Sequence, residues 1–135
     1  QFAYQMQDGV DTATVADAKF TRLGGSYDLG VAKVKATYGK VNNVGTAVGY
    51  DATDYQIGVD FPVSPALTLS ASYAKSDDSK SAGFESSRKG YGIAGAYTMS
   101  KRTFLYGGLE SDTATVAAAS DSKKTVFAVG VQHRF

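Results

Sequence analysis

The alternation over residues 125–135 constrains this chain most. Counted back from the end, Phe135, His133, Val131, Val129 and Phe127 form one series. Arg134, Gln132, Gly130, Ala128 and Val126 form the other. The first is apolar or aromatic, and the second is small or polar as far as Val126. A period of two with unlike sides specifies a β-strand with one greasy face. Chain ends more often fray into water than finish on such a residue.

The same period recurs along the chain. Phe2, Tyr4 and Met6 mark a short first strand, followed by a polar loop over residues 8–17. A second strand spans 18–29, with Leu23, Gly25, Tyr27 and Leu29 opposed to Arg22, Gly24, Ser26 and Asp28. Gly30 favours a tight turn. A third strand then sets Ala32, Val34, Ala36 and Tyr38 against Lys33, Lys35, Thr37 and Gly39. After a glycine- and asparagine-rich loop over 41–52, Tyr55, Ile57, Val59 and Phe61 alternate with Asp54, Gln56, Gly58 and Asp60. Pro62 and Pro65 punctuate a short turn before Leu67, Leu69, Ala71 and Tyr73. A charged, serine-rich loop is expected over 75–87. Tyr91, Ile93, Gly95, Tyr97 and Met99 then define a sixth strand. The seventh, over 102–110, has no clear facing: Thr103, Leu105 and Leu109 compete with Phe104 and Tyr106 for the apolar side. A polar loop over 111–123 precedes the last strand.

The expected fold is therefore all-β, with about eight antiparallel strands and no helix. Long polar connections alternate strictly with short turns, which puts every long loop at one end of the sheet. Transmembrane β-barrels have this asymmetry. Aromatic residues collect at the ends of the apolar faces, as interfacial girdles require. The period alone also fits a soluble, lipocalin-like barrel with its apolar side turned inward. Against that stand the loop asymmetry, the terminal Phe135 and the absence of tryptophan.

Composition narrows the function. A chain of 135 residues is one domain's worth, 1–135, or half of a larger one. Its formal charge of +1 sets up no field for nucleic acid. Without cysteine there are no disulfides, thiolate metal sites or thiol nucleophiles. No run of about 18 apolar residues offers a transmembrane helix, which leaves barrel strands untouched. No leader peptide is present, so an exported protein would be a mature or trimmed chain.

The string YTMSKRTFLY, residues 97–106, resembles a turn of Gram-negative general porins of the trimeric sixteen-stranded kind. LGGSYDLGVAKVKATYGK, residues 23–40, resembles paired strands of the same family, and VGVQHRF, residues 129–135, is similar to its β-proteobacterial members. The resemblance implies an outer-membrane β-barrel that passes small hydrophilic solutes or ions by diffusion. It implies a homotrimer embedded in outer-membrane lipid, with neither cofactor nor enzymatic activity. Gly130, His133 and Phe135 match the family's carboxy-terminal signal for the barrel-assembly machinery, although the His133 slot is more often aromatic. Eight strands correspond to the carboxy-terminal half of such a porin, so its constriction loop falls outside this chain. The alternatives are an eight-stranded barrel closed on itself, its interior filled by side chains, and a non-conducting adhesin or membrane-stabilising protein.

If apolar sides meet lipid, the opposite sides line water. Arg22, Lys33, Lys35, Arg88, Lys124 and Arg134 would then line the lumen, joined by Arg102 if Thr103 faces lipid. The acidic set is Asp28, Asp54 and Asp60, with Glu110 on the same condition. An excess of cations would favour anions. Alternatively these charges pair with Asp28, Asp54 and Asp60 and merely solvate the wall. Other chemistry is poorly supported. His133 is the sole histidine, so no histidine cluster can bind a metal, and a serine–histidine–acid site would have to use His133, on the apolar face with no sign of a companion to orient it. Residues 76–79 with Asp51 and Asp54 lack the spacing of a calcium loop. The glycines of 90–95 imitate a dinucleotide fingerprint but lead into no helix.

Overall fold

A computed structural model describes residues 2–8, 19–43, 51–79, 86–116 and 120–135. The parts of the expected long loops that lie over 9–18, 44–50, 80–85 and 117–119 fall outside the described residues. Eight strands follow one another: β1 (Phe2–Asp8), β2 (Lys19–Asp28), β3 (Lys33–Asn42), β4 (Asp51–Pro62), β5 (Leu67–Ser79), β6 (Ser86–Ser100), β7 (Thr103–Val116) and β8 (Ser122–His133). Each pairs antiparallel with the next, giving a meander in the order β1 to β8 whose edges are β1 and β8.

The short turns form where the sequence supplies turn chemistry. Between β2 and β3, Gly30 adopts a φ of 82°. Its amide donates to Asp28 Oδ1 at 2.9 Å, and Leu29 N donates to the Ala32 carbonyl at 2.8 Å. Between β4 and β5, Ser64 Oγ accepts from the amides of Ala66 and Leu67 at 3.2 and 3.1 Å. Between β6 and β7, Ser100 Oγ accepts from Arg102 N at 3.2 Å, beside an irregularity in the pairing at Thr98–Ser100.

Two of the expected loops, over 75–87 and 111–123, are shorter than the alternation suggests. β5 continues through Lys75 to Ser79, β7 runs on to Val116, and β8 begins at Ser122. Backbone pairing needs no apolar side chain, so the ladder persists where both faces have become polar. At 13 to 15 residues, β5, β6 and β7 reach roughly 45 Å, well beyond an apolar band of about 25 Å.

Among the described residues no hydrophobic side chain is buried. Ile57, Ile93, Val129 and Phe127 are 53, 59, 73 and 72 % exposed, so no dry centre holds this fold together. In water such a surface would be untenable. It is the surface expected of a sheet whose apolar side meets acyl chains.

Candidate functional site

Directly paired residues of an antiparallel sheet project from the same face. The register therefore sorts every side chain. One face carries Tyr27, Val34, Val59, Ala71, Ile93, Leu109 and Phe127 in a single cross-strand row. The opposite face carries Arg22, Gly39, Asp54, Ser76 and Arg88 in another. β7 takes its facing from its partners. Thr103, Leu105 and Leu109 pair with His133, Val131 and Phe127, which turns Phe104, Tyr106 and Glu110 to the polar side.

The polar face is the concave one. A hollow of about 670 Å³ opens on it, reaching from Lys35 and Thr37 on β3 to Ala128 on β8. Its floor is small: Gly58, Ser72, Gly92, Ala94 and Gly108. Curvature toward hydroxyl, amide and charged groups leaves room for water rather than for packed side chains.

The charges on this wall are mostly paired. Arg22 Nη2 lies 3.4 Å from Asp54 Oδ2, Lys33 Nζ lies 3.8 Å from Asp28 Oδ2, and Lys35 bridges to Asp60. Ser70 Oγ donates to Asp60 Oδ1 at 2.9 Å. Arg88 Nη2 reaches both oxygens of Asp112, at 3.3 and 3.4 Å. Lys124 sits opposite Asp112 in the register without closing a salt bridge. Arg102 belongs to the β6–β7 turn rather than to a strand, and Arg134 follows β8, its amide donating to the Arg102 carbonyl at 2.8 Å.

The expected excess of cations is absent from the strands. Arg22, Lys33, Lys35, Arg88 and Lys124 share this face with Asp28, Asp54, Asp60, Asp78, Glu110 and Asp112, so charge on it is close to balanced. Asp112 is the residue that sequence reasoning missed. It lies in a segment read as loop, and only the continuation of β7 brings it beside Arg88. Its alternation with Glu110 was the available signal.

On the apolar face the aromatic rings form two slanting belts. The lower runs through Tyr27, Phe61, Tyr97 and His133, descending two residues for every two strands. The upper includes Tyr38 and Tyr55 in one row and Tyr73 and Tyr91 in the next. One residue of offset per strand, at ~3.3 Å rise and ~4.8 Å spacing, corresponds to a tilt of about 35°. That is the tilt of transmembrane barrel strands. His133 thus occupies a belt position. Its Nδ1 hydrogen-bonds Thr103 Oγ1 at 2.8 Å, and its ring meets Phe135 edge-on at 4.9 Å between centroids. Gly130 lies on the other face, where a Cβ would come within 2.5 Å of the Tyr106 ring.

The remaining candidates dissolve into the ladder. Ser76–Ser79 is strand, with Asp77 bonded to Lys75 at 2.6 Å and Asp78 accepting from Ser86 Oγ at 2.9 Å. Among the described residues no group of His, Asp and Glu could hold a metal ion. The glycines of 90–95 are interior to β6.

A family of Gram-negative porins matches residues 1–117, most of the chain. The chain belongs to the Gram-negative porin family. Among its relatives is an outer membrane porin protein of Bordetella pertussis, 28% identical over 84% of this chain and 35% of that protein. This porin chain therefore spans about a third of the curated relative that it matches. The solved structure of outer-membrane expressed OmpT of Vibrio cholerae superposes with a TM-score of 0.71. That match, at 18% identity, covers 88% of this chain and 45% of the other and shows the same barrel-wall fold. Family, relative and fold agree on the bacterial outer membrane as the porin's location.

Proposed function

We propose that this chain is the carboxy-terminal half of a sixteen-stranded porin wall, and that the whole protein is a homotrimer through which small hydrophilic solutes and ions diffuse passively. The observation that carries this reading is the concave, hydrated face of an eight-stranded sheet whose convex side bears a continuous apolar band. Coverage of 35% and 45% of the two relatives supports a wall completed by further strands. No bond is made or broken, and no side chain acts as a catalyst or holds a cofactor. Lipid surrounds the convex face, and Gly130, His133 and Phe135 present the end of β8 to the barrel-assembly machinery.

Selectivity follows from the wall's electrostatics. Paired charges at a hydrated surface leave only weak residual fields. Lys124, Arg102 and Arg134 have no salt-bridge partner among the described residues, against Asp78 and Glu110 as the acids of this face that no cation bridges. A slight lean toward anions results. The test is conductance of the intact native protein in planar bilayers, with reversal potentials in a salt gradient. Ohmic steps with a small anion-ward potential are expected. Electrical silence would favour a non-conducting barrel acting through its loops. Cation preference that survives K33E/K35E would end the anion assignment.

A further inference from the structure

Lipid accounts for nearly every ring in the sheet, but not for Phe104 and Tyr106. Both stand on the concave, hydrated face, Phe104 in a row with Thr98 and Gln132, Tyr106 in a row with Ala96 and Gly130. Among the described residues the one other ring on that face is Phe20, on β2. No acyl chain reaches this side of the wall, and no apolar core covers it.

Local packing lays the two rings out as a platform. Their centroids are 6.0 Å apart and their planes tilted by 47°. Tyr106 lies over Gly130, where a Cβ would sit 2.5 Å from the ring's Cζ and Oη. With its hydroxyl end above a residue that has no side chain, the phenol runs along the wall. It is 47% exposed, so the side turned away from Gly130 is open to water. Gly108 and Ala128, the next row on this face, already belong to the hollow, and the rings form its lower lip. Wetted aromatic surface of this kind gains by stacking on a flat apolar solute.

Two cations adjoin the platform. Arg134 N donates to the Arg102 carbonyl at 2.8 Å, which carries the β7–β8 ladder one row past Thr103 and His133. Alternation puts that row on the side of Phe104 and Gln132. Both arginines are exposed, and neither has a salt-bridge partner among the described residues. Elsewhere on this face Arg22, Lys33, Lys35 and Arg88 are each matched to a carboxylate. Like charges opposite one another destabilise a ladder unless an anion lies between them.

We propose that Phe104, Tyr106, Arg102 and Arg134 form a site for aromatic carboxylates at the short-turn end of the lumen. The arene stacks on the rings while the guanidiniums take the carboxylate, for which their planar fork is suited. Residues two apart on a strand are roughly 7 Å from each other, the span of a ring and its carboxylate. The Gln132 amide, opposite Phe104, offers a further donor. Chloride or acetate satisfies the cations alone, and a neutral sugar the rings alone. Access from solution rests on the open lumen proposed above, whereas binding itself does not require ion conduction.

The test is fluorine NMR of the intact native protein in neutral detergent, titrated with para-fluorobenzoate and then challenged with unlabelled competitors. Benzoate should displace the probe about fivefold more effectively than acetate or benzyl alcohol does. F104L should weaken probe binding about threefold and F104Y should retain it. R102Q/R134Q should weaken it about fivefold. F104L leaves the Tyr106–Gly130 contact in place, which keeps the test decisive if the double variant does not fold. Equal competition by acetate and benzoate, or undiminished binding in F104L or in R102Q/R134Q, would overturn the proposal. So would displacement by methyl glucoside at the concentration at which benzoate acts, which would make the rings a carbohydrate platform. Probe binding by a protein that is silent in bilayers would remove the pore and keep the site; conductance without probe binding would remove the site alone.

Discussion

Arg88 on β6 and Asp112 on β7 meet across the concave face, one guanidinium nitrogen lying within 3.4 Å of both carboxylate oxygens. The arginine side chain is 66% exposed and the aspartate 15%. The pair sets local charge more than stability, because exposed ion pairs contribute about 1 kcal/mol or less. D112N should leave the folded barrel intact and release Arg88, moving the reversal potential toward anions; R88Q should move it the other way. Identical potentials in both variants would show that these residues do not face the permeation path.

Depth on the convex face should govern tolerance to charge. I93K places an ammonium in the middle of the apolar band and should cost about 2–4 kcal/mol of barrel stability. A94K, one residue along, points into the hollow and should cost little while reducing single-channel conductance. Urea titrations in lipid vesicles, with conductance of the same variants, check both halves of the contrast.

Gly130 is packed against by Tyr106, so a methyl group there must displace the ring. G130A should destabilise the protein by about 1–3 kcal/mol, as overpacking does. In a Y106A background the same change should cost much less. A double-mutant cycle on thermal unfolding reads this directly. An undiminished cost without Tyr106 would move the role of Gly130 from packing to recognition of the strand end.

Phe135 caps the lower belt through its edge-on contact with His133. F135A should lower the amount of protein recovered in the outer membrane while leaving synthesis unchanged. Quantifying membrane and total fractions tests this; equal membrane levels would remove Phe135 from the assembly step.

Much of the fold was legible because lipid imposes one rule on every strand. Tyr55, Ile57, Val59 and Phe61 announce their face without help from neighbours, and the turns at Gly30 and at Pro62 and Pro65 carry their own chemistry. The rule fails where its cause ends. Beyond the tyrosines both faces of a strand are wet, so Lys75–Ser79 and the end of β7 read as loop although the backbone ladder continues. Thr103 to Tyr106 is ambiguous for another reason. Phe104 and Tyr106 are large rings turned to the concave side, and only pairing with His133 and Val131 reveals it. The wall's charge balance depended on that extension, since Asp112 joins it only as part of β7.

The orientation of the sheet is measurable directly, because this chain contains no cysteine and an introduced thiol is unique within it. I93C and A94C, labelled in turn with an environment-sensitive fluorophore in lipid vesicles, place two adjacent side chains on opposite faces. The label at 93 should be quenched by a bromine-bearing lipid and spared by aqueous iodide, and the label at 94 should show the reverse. Quenching by lipid at 94 with aqueous access at 93 would contradict the account.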